Sequence, residues 1–216
     1  MRSLYAYKRL RRRVNGKPDA LEYSFKVAGL GYLEELSEQG RIDLFYGDES
    51  AVSLLPCVPY GWQFKDEQAF MPSSRGKGVN CFGLINRKSE CWFRTTEQAV
   101  TAQTIVDWLD VFALGLRRVT VVVLDNAPTH QAKEVQARLS GWQERGLYVF
   151  FLPTYSPHLN IAETLWRKLK YEWLKADDYA DKETLCYQVR QALAAVGTSL
   201  KIRFSAFQSA ENQSVQ

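Results

Sequence analysis

Apolar residues recur along this chain with two different periods, and the predicted elements follow from where one period gives way to the other. Between residues 19 and 39, Leu21, Phe25, Ala28, Tyr32, Leu33 and Leu36 return near every 3.6 positions, which predicts an amphipathic helix. Gly29 and Gly31 weaken that helix and Gly40 stops it. Ile42–Tyr46 then predicts a short strand ending in Gly47-Asp48-Glu49-Ser50. Further strands are predicted at Tyr60–Phe64, Val79–Ile85 and Cys91–Thr95, with a basic loop over residues 72–78 that carries Arg75 and Lys77. Their close spacing favours an antiparallel meander.

After residue 97 the pattern changes. A helix is predicted over Gln98–Leu116, and the nearly continuous β-branched run Val119–Leu124 predicts a strand buried on both faces. A helix from Pro128 to about Arg145 follows, with Pro128 suited to its first turn, then a second buried strand at Tyr148–Leu152. Two more helices are expected, Asn160 to about Lys175 and Lys182–Val196. Strand–helix–strand crossovers give parallel neighbours with right-handed connections. The expected architecture is therefore α/β: a mixed sheet, antiparallel on one side and parallel on the other, flanked by helices.

Charge changes this picture at one end only. Residues 1–17 carry seven basic side chains and no acidic one, whereas residues 18–216 hold 21 basic against 24 acidic groups, a net −3. The overall +4 belongs to a cationic arm, with Lys8, Arg9, Arg11, Arg12 and Arg13 clustered as in a loose nucleic-acid-binding tail. Such a distribution argues against a protein that is basic throughout. A hydrophobic fraction of 46% excludes intrinsic disorder, and no apolar run reaches the roughly 18 residues that span a bilayer. The four cysteines show no paired spacing and read as reduced thiols of an intracellular protein; with two histidines, a zinc site is not expected.

Three acidic residues fall at structural ends. Asp48 follows the first strand, Asp125 follows the buried strand, and Glu163 sits in the first turn of the helix after the next strand. Ligands of open α/β sheets bind at the carboxyl edge of the strands. Three carboxylates gathered there repel one another unless cations intervene, and oxygen-preferring Mg²⁺ or Mn²⁺ is the natural neutraliser. Two such ions roughly 3.5–4 Å apart form a clamp for phosphodiester displacement. Each residue also has an ordinary reading. Asp48 suits a turn, Asp125-Asn126-Ala127-Pro128 suits a strand-to-helix turn, and Glu163 has the spacing of a capping box with Asn160 or an ion pair with Arg167. On the helix that begins near Asn160, Glu163, Arg167 and Lys170 share one face, opposite Ala162, Leu165, Trp166, Leu169 and Trp173.

The segments Leu44–Ser50, Leu124–His130 and Leu152–Glu163 resemble, in order, the three catalytic blocks of DDE-superfamily transposases, in the mariner-like branch of bacterial insertion-sequence elements. The resemblance covers about residues 40–205. It implies an RNase H-like fold with a five-stranded sheet, three strands antiparallel and two parallel. It also implies cleavage of DNA at transposon ends, joining of the 3′-hydroxyl to target DNA, and two Mg²⁺ or Mn²⁺ ions. Asp48, Asp125 and Glu163 match the metal-binding triad, while Asn126, His130, Asn160, Arg167 and Lys170 are expected to support it or to contact DNA. Ile161 stands where the family commonly has proline, and His158 where it often has an acidic residue.

Family members usually begin with helix-turn-helix modules. The expected organisation here is a basic linker and helix over residues 1–40, a catalytic domain over 41–205 and a tail over 206–216. A homodimer, a separate helix-turn-helix polypeptide, and a bacterial cytoplasmic, nucleoid-associated setting follow from the resemblance, with no membrane partner. A truncated DNA-binding remnant and another RNase H-like nuclease stay open beside the transposase reading.

Overall fold

The computed structural model describes residues 19–57, 65–66, 76 and 78–207. The chain runs α1 (Ala20–Glu38), β1 (Asp43–Val52), β2 (Val79–Ile85), β3 (Cys91–Thr96), α2 (Ala102–Leu114), β4 (Thr120–Leu124), α3 (Lys133–Gln143), β5 (Leu147–Phe151), α4 (Ala162–Lys168) and α5 (Lys182–Ala195). The five strands form one sheet in the order β3-β2-β1-β4-β5. β2 runs antiparallel to its neighbours β1 and β3, and β1, β4 and β5 are mutually parallel, as expected. The expected strand at Tyr60–Phe64, the arm residues Lys8 to Arg13, and Arg75 and Lys77 lie outside the described residues.

Side chains alternate across each strand, and the two faces of the sheet build two cores. On one, Leu44, Tyr46, Val121 and Val123 pack with α1, α4 and α5 through Val27, Leu30, Leu165, Trp166, Leu185 and Val189. On the other, Leu84, Val122 and Leu124 pack against α2 and α3 through Ile105, Leu109, Val135 and Trp142. Burying each such side chain contributes about 1.5–3 kcal/mol. Arg138 and the Trp142 indole both donate to Asp110 Oδ1, at 2.8 and 2.7 Å, and lock α3 to α2.

Several expectations need correction. β1 does not end at Tyr46; it continues through Asp48 to Val52, because the antiparallel pairing with β2 carries it past the point where β4 stops. α3 starts at Lys133 and not at Pro128, since residues 128–132 form turns that bring His130 inward. α2 is shorter than Gln98–Leu116, with Thr101 capping it by accepting from the Thr104 N–H. β5 is an edge strand, half-buried instead of covered on both faces. The helix expected over Asn160–Lys175 is shorter and divided, into α4 and a wide π turn at Leu169–Trp173, and a 3₁₀ turn at Pro157–Leu159 precedes it.

The orientation of α1 also differs. Leu21, Phe25, Ala28 and Tyr32 face outward, and the buried side presents Val27, Leu30 and Glu34. The buried Glu34 is not alone: Arg87 Nε lies 2.7 Å from both of its carboxylate oxygens, and the Tyr46 hydroxyl donates to it. That paired charge holds α1 to β1 and to the turn between β2 and β3.

Candidate active site

β1 and β4 run parallel in a register that pairs Tyr46 with Val123. Two residues further along each strand direction stand Asp48 and Asp125, and the side-chain period of two puts both on the face that α4 covers. Asp48 is opposite Gly83 on β2. A Cβ on Gly83 would lie 2.9 Å from Trp166 Cη2 and 3.3 Å from Leu165 Cδ2, so the missing side chain lets α4 approach the sheet beside Asp48. Asn160 fixes the start of that helix. Its amide donates to the Gly47 carbonyl at 3.0 Å and its carbonyl oxygen accepts from the Ala162 N–H at 3.0 Å.

These constraints place Glu163 with Asp48, Arg167, Lys170 and Tyr171 along one groove of about 480 Å³, floored by Trp166. Asp48 accepts from the Glu49 N–H at 2.8 Å. Burial raises its carboxyl first, the nearby Glu163, Glu49 and Asp125 raise it further, and the result is about 8. Glu163 forms neither the ion pair with Arg167 nor a side-chain hydrogen bond among the described residues. Its backbone N–H, with the Asn160 carbonyl at 3.3 Å, is the only part that joins the capping turn.

Asp125 is treated differently. Its Oδ1 accepts from the Ala127 N–H at 3.1 Å and faces His130 Nδ1 at 2.6 Å. The opposite ring nitrogen, Nε2, lies 2.9 Å from Glu49 Oε2, close enough for an ion pair though too poorly aligned for a hydrogen bond. Burial alone would depress the imidazolium, but Asp125 and Glu49 outweigh it and push it up to about 10. His130 is therefore charged at neutral pH, and its charge holds Asp125 below the usual carboxylate range despite partial burial. The ring has no exposed surface, which puts it in contact with carboxylates and away from any ligand in solvent.

Asp48 and Glu163 thus share one groove with Arg167 and Lys170, Asp125 lies near enough to raise Asp48 further, and His130 stands behind Asp125. Asn126 is half-buried and its side chain makes no hydrogen bond among the described residues. Glu49 is the residue that sequence reasoning missed. Its only signal was adjacency to Asp48 on a strand, which sends it to the opposite face. Among the described residues, no three His, Cys, Asp or Glu side chains are grouped closely enough to hold a metal ion. The donors are nonetheless of the right kind for a hard divalent cation: oxygen-only, crowded, and with one carboxyl raised by its neighbours.

A single class of protein is defined by these features together with the comparisons. The family model for DDE superfamily endonucleases matches residues 43–186, and the chain belongs to that family. The fold is RNase H-like and is similar to that in the Mos1 strand transfer complex, with a TM-score of 0.51 at 15% identity, over 92% of this chain and 68% of that one. It is also similar to a chain of the simian T-cell lymphotropic virus intasome in complex with PP2A regulatory subunit B56 gamma, with a TM-score of 0.50 at 13% identity, over 77% and 52% of the two chains. No curated protein matches the chain.

Proposed function

We propose that this chain is the catalytic part of a transposase that cleaves DNA at transposon ends and joins the freed 3′-hydroxyl to target DNA. The observation that supports the reading is the groove shared by Asp48 and Glu163, with Asp48 raised to about 8 by burial and by Glu163, Glu49 and Asp125 around it. Membership in the DDE superfamily endonucleases supports the reaction class. The strand transfer complex of Mos1, similar in fold, supports joining as well as cleavage.

Asp48, Asp125 and Glu163 would hold Mg²⁺ or Mn²⁺. Two such ions supply activation of the attacking water or hydroxyl and stabilisation of the leaving oxygen. The protein's own contribution is placement. One oxygen of Asp125 is committed to His130 and Ala127, and one of Asp48 to the Glu49 N–H, so each carboxylate keeps its second oxygen free in a fixed direction. Asn160 ties the helix bearing Glu163 to the backbone before Asp48. Arg167 and Lys170 continue the groove with positive charge suited to a phosphate backbone. DNA is the partner, and a homodimer on paired ends, a separate end-recognition polypeptide and a bacterial, nucleoid-associated setting belong to the same proposal.

Calorimetric titration with Mn²⁺, paired with a plasmid-nicking assay, tests this. Wild type is expected to bind Mn²⁺ and nick, and Asp125→Asn to do neither. Robust nicking by that variant would overturn the triad. Cleavage with no strand joining would favour another RNase H-like nuclease, and salt-sensitive DNA binding with no turnover a non-catalytic remnant.

A further inference from the structure

A second cavity, of about 350 Å³, opens beside α4 and is separate from the carboxylate groove except at one residue, Arg167, which lines both. Its wall carries Arg87, Arg167 and Arg203 with His158 and Thr164, and includes no acidic residue. That is a local excess of positive charge on a body whose net charge is negative. The three guanidiniums are not equivalent. Arg87 is neutralised by the buried Glu34 and donates through Nη1 to the Ser205 carbonyl at 2.6 Å. Arg167 and Arg203 are exposed and take part in no ion pair among the described residues. His158, held down by burial and 3.1 Å from the Tyr23 hydroxyl, contributes a polar ring and no charge at neutral pH.

Arg203 is held in place by the backbone on either side of it. The Ser89 hydroxyl donates to the Ile202 carbonyl at 2.9 Å and accepts from the Ile202 N–H at 3.0 Å, with Ile202 itself buried. The Arg87–Ser205 bond fixes the other side. The strap from Ile202 to Ser205 therefore presents Arg203 to the cavity from two pinned points. Arg167 lies one helical turn beyond Glu163, about 6 Å along α4 and so within about two nucleotides' rise of a strand.

We propose that this cavity seats a backbone phosphate of the DNA strand leaving the carboxylate groove, with Arg167 and Arg203 as its cationic partners and the Thr164 hydroxyl as a further donor. The assignment rests on the DNA-processing reading above and adds a place where the strand is gripped outside the carboxylates. A free phosphate-bearing small molecule has the same chemistry. The continuity through Arg167 favours the polymer.

The test is DNA binding without chemistry. Fluorescence anisotropy of a labelled duplex with a single-stranded 3′ tail is followed across KCl concentrations, in EDTA, for wild type, Arg203→Ala and Arg203→Lys. Arg203→Ala is expected to weaken binding and to lower the slope of log K against log salt by about 0.7–0.9, the value of one phosphate contact, while Arg203→Lys keeps the slope. An unchanged slope and affinity in Arg203→Ala, with circular dichroism showing an intact fold, overturns the proposal. So does a DNA slope that is unchanged while inorganic phosphate raises the melting temperature of wild type and not of Arg203→Ala, because the cavity then serves a small anion. The anisotropy is read in EDTA, without metal or turnover, and the nicking assay reads the carboxylates, so failure of the carboxylate mechanism and failure of the phosphate seat give different results.

Discussion

Asp48 and Glu49 are consecutive acids on one strand, and the sheet sends them to opposite fates. Asp48 points to the α4 side, into a groove shared with Glu163, and no cation among the described residues neutralises it; its carboxyl rises to about 8. Glu49 points to the α2–α3 side and stands 2.9 Å from a buried histidine that is charged because Glu49 and Asp125 flank it. The difference teaches a division of labour. One face leaves negative charge unbalanced, where an added cation would be stabilised. The other supplies a permanent internal cation that aims Asp125 across the boundary between them.

The strongest way to break this contrast is to remove the unbalanced face. Asp125→Asn or Glu163→Gln is expected to abolish nicking in a plasmid assay with Mn²⁺ while the circular dichroism spectrum stays native. Removing the internal cation should cost less. His130→Gln leaves Asp125 and Glu49 facing each other without it, and a drop of about 10–100-fold in Mn²⁺ affinity or cleavage rate is expected by calorimetry and kinetics. An unchanged rate would show that Asp125 needs no such support.

Gly83→Ala tests the helix approach. Its methyl would meet the Trp166 ring at 2.9 Å, and a loss of about 1–3 kcal/mol in urea unfolding is expected, together with slower cleavage because Glu163 moves with α4.

The smallest effect sharpens the comparison through pH. In the folded, metal-free protein Asp48 keeps its proton up to about pH 8, whereas in the unfolded chain it loses it near 4. The folded state therefore binds the extra proton between those values, and stability falls as pH rises through that window. His130 has the opposite charge type and the same slope at higher pH. Its contribution is complete below about 6.5 and is lost as pH rises through about 10. Asp48→Asn should accordingly raise the melting temperature of the metal-free protein at pH 8 by a few degrees, at about 2–4 °C per kcal/mol, and flatten the pH 4–8 limb alone. A melting temperature at pH 8 equal to wild type would contradict the raised carboxyl.

How much of this could be read from the chain depended on whether the cause was local. The run Val119–Leu124 announces a buried strand because β-branched residues in sequence need covering on both faces, and Val79–Ile85 emerged with the same bounds. Asp125 was legible because it stands between a strand and the turns that follow it; Asp48 and Glu163 lie within β1 and α4 and were legible through the resemblance of the blocks around them. The outward stripe of α1 was not. Leu21, Phe25, Ala28 and Tyr32 obey the helical period as well as any core face would, and the side actually buried contains a glutamate whose partner is 53 residues away. The Glu49–His130 pair and the Gly83–Trp166 contact are hidden for the same reason. They join positions remote in sequence, and no local pattern marks either member.

The Asn160 amide closes onto the Gly47 carbonyl across 113 residues. Synthesis from the amino terminus delivers Asp48 and Asp125 long before the helix that carries Glu163, and contacts of such long range form late in folding. A chain still emerging from the ribosome thus holds two of its three acids with nothing to complete them. The groove shared by Asp48 and Glu163 is complete only once that contact across 113 residues has formed.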